Sequence, residues 1–282
     1  MKAVLAPFCL EELFALLERH PEALPMAGGT DLLVRLRRET APDDRPLLLL
    51  ANVAELQGVT DMENEISIGA ATTLSRLIAD PLVEHHGPLL VRAAATIGAP
   101  AVRNMATIGG NISTASPAGD SLPPLYLLGA EVELASAQGK RRLPIGEFVA
   151  GPGRTRLQGR EIITRIILPH AGPFPLQIFD KVGLRKSLAV AVASFSGMVR
   201  LSADGIVEEA RFAWGSVGPT VVRLPELEAD LAGARLDGET SRKAAEIVRQ
   251  GVSPIDDIRA TADYRRRVAA NLLVRFLEGI HG

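Results

Sequence analysis

The stretch Ala27-Gly28-Gly29-Thr30-Asp31-Leu32-Leu33 and, far along the chain, Thr107-Ile108-Gly109-Gly110-Asn111-Ile112 carry the most information in this sequence. Each joins adjacent glycines to a small hydroxyl or amide residue, and each follows a segment that reads as strand or turn. Glycine has no Cβ, so its backbone N–H groups can approach an anion closely and point at it. One such loop suits one phosphate. Two suit the paired phosphates of a dinucleotide, provided that folding brings them together.

Working outward from the first loop, Leu10, Leu13, Phe14 and Leu17 recur at helical spacing and stop before Pro21. Ala23–Met26 reads as a short strand running into the glycines. Thr30 or Asp31 can cap a helix through Leu36, with Arg35, Arg37 and Arg38 as its solvated end, where cations suit the helix dipole. Leu47–Leu50 reads as a second buried strand, which closes a small αβαβ unit. Around the second loop, Ile66–Gly69 reads as a strand. Thr73–Ile78 and Leu89–Ala95 read as helices, the first stopped by Pro81. Ser116–Pro124, rich in Pro and Gly, is expected to be a long surface loop. Glu131–Ala135 and Glu161–Leu168 read as strands, with a turn at Gln138-Gly139.

Pro169 to Pro175 holds three prolines and a glycine, and a domain boundary is expected there. Beyond it, Ala189–Leu201 and Ile206–Trp214 flank Asp204-Gly205, a strong hairpin signal. Helical patterns follow at Pro225–Leu231, Ser241–Gln250 and Asp263–Leu277. The triplet Arg265-Arg266-Arg267 on the last helix reads as a solvated face, with a partner-docking patch as the alternative.

Composition narrows the classes. With 282 residues and 47% apolar content the chain can bury a sizeable core. A net charge of −2, with Lys, Arg, Asp and Glu spread along the chain, argues against a dedicated nucleic-acid binder. The single cysteine, Cys9, excludes an internal disulfide and a cysteine-held cluster, and fits a reducing, cytoplasmic setting. The five histidines show no metal-ligand spacing, and His85-His86 beside Gly87-Pro88 reads as a solvated turn. Met1-Lys2 and the residues after it do not read as a signal peptide, and no apolar run is long enough to span a bilayer. Neither the Rossmann G-x-G-x-x-G, the P-loop nor the G-x-S-x-G elbow occurs.

Three stretches together, Ala27–Leu33, Thr107–Ile112 and Ser116-Pro117-Ala118-Gly119-Asp120, resemble the FAD-binding medium subunit of molybdenum hydroxylases, the family of the flavin subunits of carbon monoxide dehydrogenase and bacterial xanthine dehydrogenase. Phe179-Asp180-Lys181, then Arg185 and the small apolar run to Ala193, resemble the entry into that family's C-terminal domain. Thr261–Arg266 resembles its last helix. The match runs nearly end to end, in family order.

The resemblance implies an α+β fold. A two-lobed FAD-binding domain of the vanillyl-alcohol-oxidase (PCMH) type would occupy residues 1–174, with lobes at about 1–55 and 56–174. A small C-terminal domain of the carbon monoxide dehydrogenase flavoprotein kind, with a short antiparallel sheet and helices, would occupy 175–282. It places the FAD pyrophosphate near both loops, with backbone donors from Gly28, Gly29, Gly109 and Gly110 and side chains of Thr30, Thr107 and Asn111 adding hydrogen bonds. Ala27, Asp31, Leu32, Leu33, Val34 and Ile108 belong to the same matched stretches. Ile97 and Ile163 match apolar family positions, for each of which plain core packing is the alternative. Asp120 matches an acidic FAD contact that would accept from a hydroxyl or ring N–H rather than sit beside a phosphate; a turn-forming Asp is the alternative. Lys181 matches a lysine near the flavin, against a solvated surface Lys.

No histidine lies in or beside the loops, so the FAD is expected to be non-covalent. Without the cysteine-bearing insertion of the hydroxybenzoyl-CoA reductase branch, no iron–sulfur cluster is expected in this chain. The implied function is that of an oxidoreductase subunit, with no catalytic acid or base of its own. It would take electrons from the [2Fe–2S] clusters of a small partner subunit and pass them through FAD to a terminal acceptor. Molybdopterin would reside in a large subunit, and the complex would be a dimer of heterotrimers. A stand-alone flavoenzyme and a cofactor-free scaffold remain open on the residues alone.

Overall fold

The computed structural model describes residues 3–38, 43–170, 172, 174–185 and 188–280. Met1, Lys2, Pro173 and His281, which enter the sequence reading, lie outside the described residues. The chain divides into two compact units, and the division is not sequential. Ser116–Leu128 packs with the C-terminal portion, whereas Gly129–His170 returns to the first unit.

The first unit opens with alternating strand and helix: β1 (Val4–Leu5), α1 (Leu10–Arg19), β2 (Leu24–Met26), α2 (Leu32–Arg38) and β3 (Leu47–Leu49). The strands form a parallel sheet in the order β1-β3-β2. A two-residue strand such as β1 shows no alternation and is invisible to periodicity. Helix α1 buries Leu13 and Leu17 against Leu48, Val53 and Leu56. At its start, Glu12 accepts a hydrogen bond of 2.8 Å from the Phe8 amide, and a carboxylate there also suits the helix dipole.

The rest of this unit comprises β4 (Val59–Asp61), β5 (Glu65–Gly69), α3 (Leu74–Ala79), α4 (Pro81–His86), α5 (Pro88–Ala95), α6 (Pro100–Arg103) and α7 (Ile108–Ser113). The chain then lends α8 (Leu122–Leu127) to the other unit. It returns with β6 (Glu131–Ser136), β7 (Gly139–Pro144), α9 (Ile145–Phe148), β8 (Val149–Gly151), β9 (Arg154–Thr155) and β10 (Ile162–Pro169). Five of these strands form an antiparallel sheet in the order β4-β5-β10-β6-β7. Central β10 buries Ile162, Ile163, Thr164, Ile166, Ile167 and Leu168. Burial of consecutive residues on either side of the half-buried Arg165 marks a strand covered on both faces.

Two expectations are corrected. Pro81 does end α3, but it also starts α4 at its first position, where a missing N–H costs nothing. His85-His86 is therefore the last turn of a helix rather than a free turn, with His85 exposed and His86 half-buried. Ser116–Pro124 is not a surface loop throughout. Leu122, Pro123 and Pro124 begin α8 and are buried, with the prolines again in the first turn.

In the second unit, β11 (Leu176–Gly183), β12 (Ala191–Leu201) and β13 (Val207–Gly215) make an antiparallel sheet in that order. The β12–β13 hairpin turns at Asp204-Gly205, with Gly205 at φ +74, as the dipeptide predicts. Helices α10 (Pro225–Leu231), α11 (Gly238–Gly251) and α12 (Ala262–Gly279) complete the unit, and α11 and α12 share one core with the sheet. Phe195, Phe212, Trp214 and Phe276 cluster in that core. A Cβ on Gly197 would fall 2.8 Å from the Phe276 ring, so glycine lets α12 lie close on β12. The Trp214 indole donates to the Ala269 carbonyl at 3.1 Å.

Arg265 departs from the solvated-face reading of its triplet. It is 3% exposed and donates to the carbonyls of Val192 (2.8 Å) and Ser216 (3.1 Å) and to the Asp257 carboxylate (2.6 Å). It thus ties α12 to the end of β13 and the start of β12. Arg265→Met should destabilise the protein by about 3 kcal/mol, because buried carbonyls and a carboxylate lose their donor together. Arg266→Met, on the exposed side of the same helix, should stay within about 0.5 kcal/mol. Urea unfolding of the two variants checks the difference.

Candidate functional site

Strand β2 delivers Ala27 to the rim of the first unit, and the chain then bends through Gly28 and Gly29 into α2. Gly29 has φ +69, a conformation that favours glycine. Gly28 is required for a different reason. A Cβ there would fall 1.7 Å from the Met105 carbonyl oxygen. The first loop therefore lies directly on the backbone that precedes the second, and the two glycine stretches do converge.

They do not play the same part. In the second stretch, Thr107 caps α7, its Oγ1 accepting from the Gly110 amide at 3.2 Å. The amides of Ile108 and Gly109 donate to the carbonyls of Thr72 (3.1 Å) and Ala70 (2.9 Å), and Asn111 N–H donates to Thr107 O at 2.9 Å. These donors are consumed by the fold. Gly109 is small because a Cβ would meet Ala70 at 2.7 Å. The expectation that Gly109 and Gly110 supply amides to a phosphate is thereby corrected: the Gly109 amide is taken by Ala70 and the Gly110 amide by the Thr107 cap, and Gly109 permits close packing of α7 on Ala70. In the first stretch, by contrast, the amides of Gly28, Gly29, Thr30 and Asp31 have no acceptor among the described residues. Successive unpaired N–H groups at a bend form a concave anion site.

Two clefts meet at this loop. The polar one, about 150 Å³, has Gly28–Leu32 and Arg35 on one wall and Thr107, Gly110, Asn111, Ser113 and Thr114 on the other. The apolar one, about 220 Å³, is bounded by Leu50, Leu56, Ala70, Ala71, Leu157, Ile162 and Ile163, and shares Pro25, Ala27, Gly110 and Ser113 with the first. A third hollow of about 350 Å³ continues past Gly28 to Gln57, Thr73, Arg76 and Met105. Arg76 donates to the Gln57 side chain at 2.9 Å, and Arg35 pairs with Asp31 at 2.9 Å. Glu161, on the apolar wall, is held below the usual carboxylate range chiefly by hydrogen bonds from Arg141, at 2.7 and 2.8 Å.

Other positions named from sequence fall elsewhere. Ile108 is fully buried, Leu33 and Val34 are exposed on α2, and Ile97 lies between α5 and α6, where its carbonyl accepts from Arg103 at 3.1 Å. Asp120 and Lys181 both belong to the second unit and meet each other there. Lys181 donates to Asp120 at 2.5 Å and to the Ala189 carbonyl at 3.2 Å, and both side chains are largely buried. Arg76, Ser113, Thr114 and the Ala70-Ala71 pair were missed. Small residues right after a strand, as at Ala70-Ala71, were the available signal for a close approach.

Residues 1–171 match the model of the FAD binding domain in molybdopterin dehydrogenase, and residues 179–280 that of the CO dehydrogenase flavoprotein C-terminal domain. The chain belongs to the FAD-binding medium subunits of the molybdenum hydroxylases. Among its relatives, the xanthine dehydrogenase FAD-binding subunit of Escherichia coli O157:H7 is 33% identical over 91% of this chain and 88% of that one. The nicotinate dehydrogenase FAD-subunit of Eubacterium barkeri is 32% identical over 98% and 96%. In structure, carbon monoxide dehydrogenase from Hydrogenophaga pseudoflava, in a form that lacks the Mo-pyranopterin moiety, superposes with a TM-score of 0.91 at 30% identity, over 98% of this chain and 96% of that one. Family, fold class, an FAD-binding domain and the role of an oxidoreductase subunit are thus as the resemblance implied. No helix of the described residues is long and apolar enough to cross a membrane.

The residues fit the cofactor. FAD brings a diphosphate and a flat, largely apolar ring system, and the site offers unpaired amides in a polar cleft that adjoins an apolar one. The Glu161–Arg141 pair gives a pH test of the apolar wall. Because the folded-state pKa is depressed, its contribution is present at neutral pH and is lost as pH falls through that pKa. Arg141→Met should lower the melting temperature at pH 7, and the gap from the parent should narrow in acid, as followed by thermal melts across pH.

Proposed function

We propose that the amides of Gly28, Gly29, Thr30 and Asp31 receive the FAD diphosphate. The side chains of Thr107 and Asn111 face it across the cleft, and Ile163 with Ile162 and Leu56 packs against an apolar ring. The observation that carries this reading is the row of unpaired amides held in place by the Gly28 contact on Met105. Arg35 at the rim adds a cation that suits an anion. The roles of Ile97, Asp120 and Lys181 as FAD contacts rest on the family resemblance alone. The binding is non-covalent, since the loops hold no histidine or cysteine.

Bound FAD supplies the redox chemistry, exchanging electrons singly or in pairs. The chain's own residues bind and orient it, and none of them is asked to act as acid or base toward a substrate. We infer that the subunit receives electrons from the [2Fe–2S] clusters of a small partner subunit and delivers them to a terminal acceptor. A large subunit carries the molybdopterin, and the whole is a dimer of heterotrimers in the cytoplasm. Support comes from the medium chains that the family's complexes contain.

The chain produced with its partner subunits should bind one FAD per copy, releasable by acid, and substrate added to the complex should bleach it. Gly28→Ala should abolish flavin retention, because the methyl group must displace Met105 or the loop. Leu33→Ser, on the exposed side of α2, should retain it. Full flavin content in the Gly28→Ala protein would refute the placement of the diphosphate.

A further inference from the structure

Asp61, His86 and His170 converge in the first unit, from the end of β4, the end of α4 and the residue after β10. Each offers one ligand atom, and these atoms lie within 4.8 Å of one another. His170 Nε2 is 3.1 Å from Asp61 Oδ1. The His86 ring stacks on His170 with centroids 4.0 Å apart and planes 11° apart, and His85 stands edge-on to His86 at 4.6 Å. None of these residues lines the clefts at the glycine loops.

The backbones are well fixed. The His170 amide donates to the Asn64 carbonyl at 2.9 Å, so His170 is anchored to the same β4–β5 hairpin that carries Asp61. Helix α4 is clamped at its start by Asp80, which accepts from Leu82 N and Val83 N. Only side-chain rotation is left free. Two imidazoles and one carboxylate, presented by a rigid frame, form a donor set of intermediate softness.

We propose that Asp61, His86 and His170 form a binding site for one divalent ion of the zinc class. Imidazole nitrogens and a carboxylate oxygen bind Zn²⁺ at about 2.0–2.2 Å, which puts donors around a tetrahedral ion about 3.3–3.6 Å apart. Asp61 and His170, 3.1 Å apart, stand just inside that spacing and need only a small outward shift. Parallel rings cannot aim their lone pairs at one ion, so His86 turns out of the stack on binding. Water takes the fourth position. The ion would cross-link three elements that a single chain segment does not join, and it would stabilise the folded form by mass action.

The test uses the full chain with its flavin, stripped with chelator and titrated with ZnCl2 by calorimetry and with CoCl2 by visible absorption. One equivalent should bind, Co²⁺ should give the intense bands of a tetrahedral site, and the melting temperature should rise with zinc concentration. His86→Gln and His170→Gln should each weaken binding by at least about tenfold without changing flavin content. His20→Gln, at an exposed histidine beside Glu22, should behave as the parent. If His170→Gln fails to fold, Asp61→Asn, on a half-exposed side chain, serves instead. Absence of a saturable one-equivalent phase, or an isotherm unchanged by these substitutions, overturns the proposal.

Discussion

The architecture of the site depends on one steric fact: the Gly28 backbone lies so close to the Met105 carbonyl that no side chain fits between them. That contact is braced from behind. The Ala106 carbonyl accepts from Leu74 N at 2.8 Å, Thr73 and Thr107 form an isolated antiparallel bridge, and Gly109 packs on Ala70. The segment 105–110 is therefore anchored to β5 and α3, and the first glycine loop is laid on an immobile base. A preorganised donor row costs little reorganisation when an anion arrives. The unpaired amides from Gly28 to Asp31 are useful because something else has already fixed where they point.

The charge around this row is modest. The ion pair between Arg35 and Asp31 is well exposed on both sides, at 64% and 49%, and such pairs contribute little to stability. Its cation stands at the mouth of the polar cleft, where it attracts an anion without being buried. The apolar compartment is closed on one side by central strand β10, buried at every residue but Arg165 and Pro169, which makes that wall stiff. The polar and apolar halves thus come from different sources, a bend with exposed backbone and a strand with none.

Much of this was legible in the sequence. The spacing of Leu10, Leu13, Phe14 and Leu17 gave α1, the run Ile162–Leu168 gave β10, and Asp204-Gly205 gave the hairpin of the second unit. The convergence of the two glycine stretches was legible as an idea, yet their division of labour was not. Sequence shows that a residue lacks a Cβ, but not whether the space is taken by a ligand or by a neighbouring backbone. Proline was misread where it opens a helix, at Pro81 and at Pro123-Pro124, because a breaker inside a helix is harmless in its first turn. Arg265 was misread because a run of like charges usually lies in water. Its burial follows from the carbonyls of Val192 and Ser216, residues that only the fold brings to it.

The segment Ser116–Leu128 is the part that no local pattern could place. It lies between two stretches of the first unit, yet its polar ties are to the second: the Pro117 carbonyl accepts from Ser216 N at 2.8 Å, the Leu127 carbonyl accepts from Arg211, and Asp120 meets Lys181. Leu122, Leu125 and Leu127 are almost wholly buried. The chain consequently passes from one unit to the other at three places, of which the proline-rich stretch Pro169–Pro175 holds one. A cut there leaves Ser116–Leu128 attached to the wrong fragment. That strands a buried carboxylate without its ammonium and several leucines without their cover, a loss both electrostatic and hydrophobic.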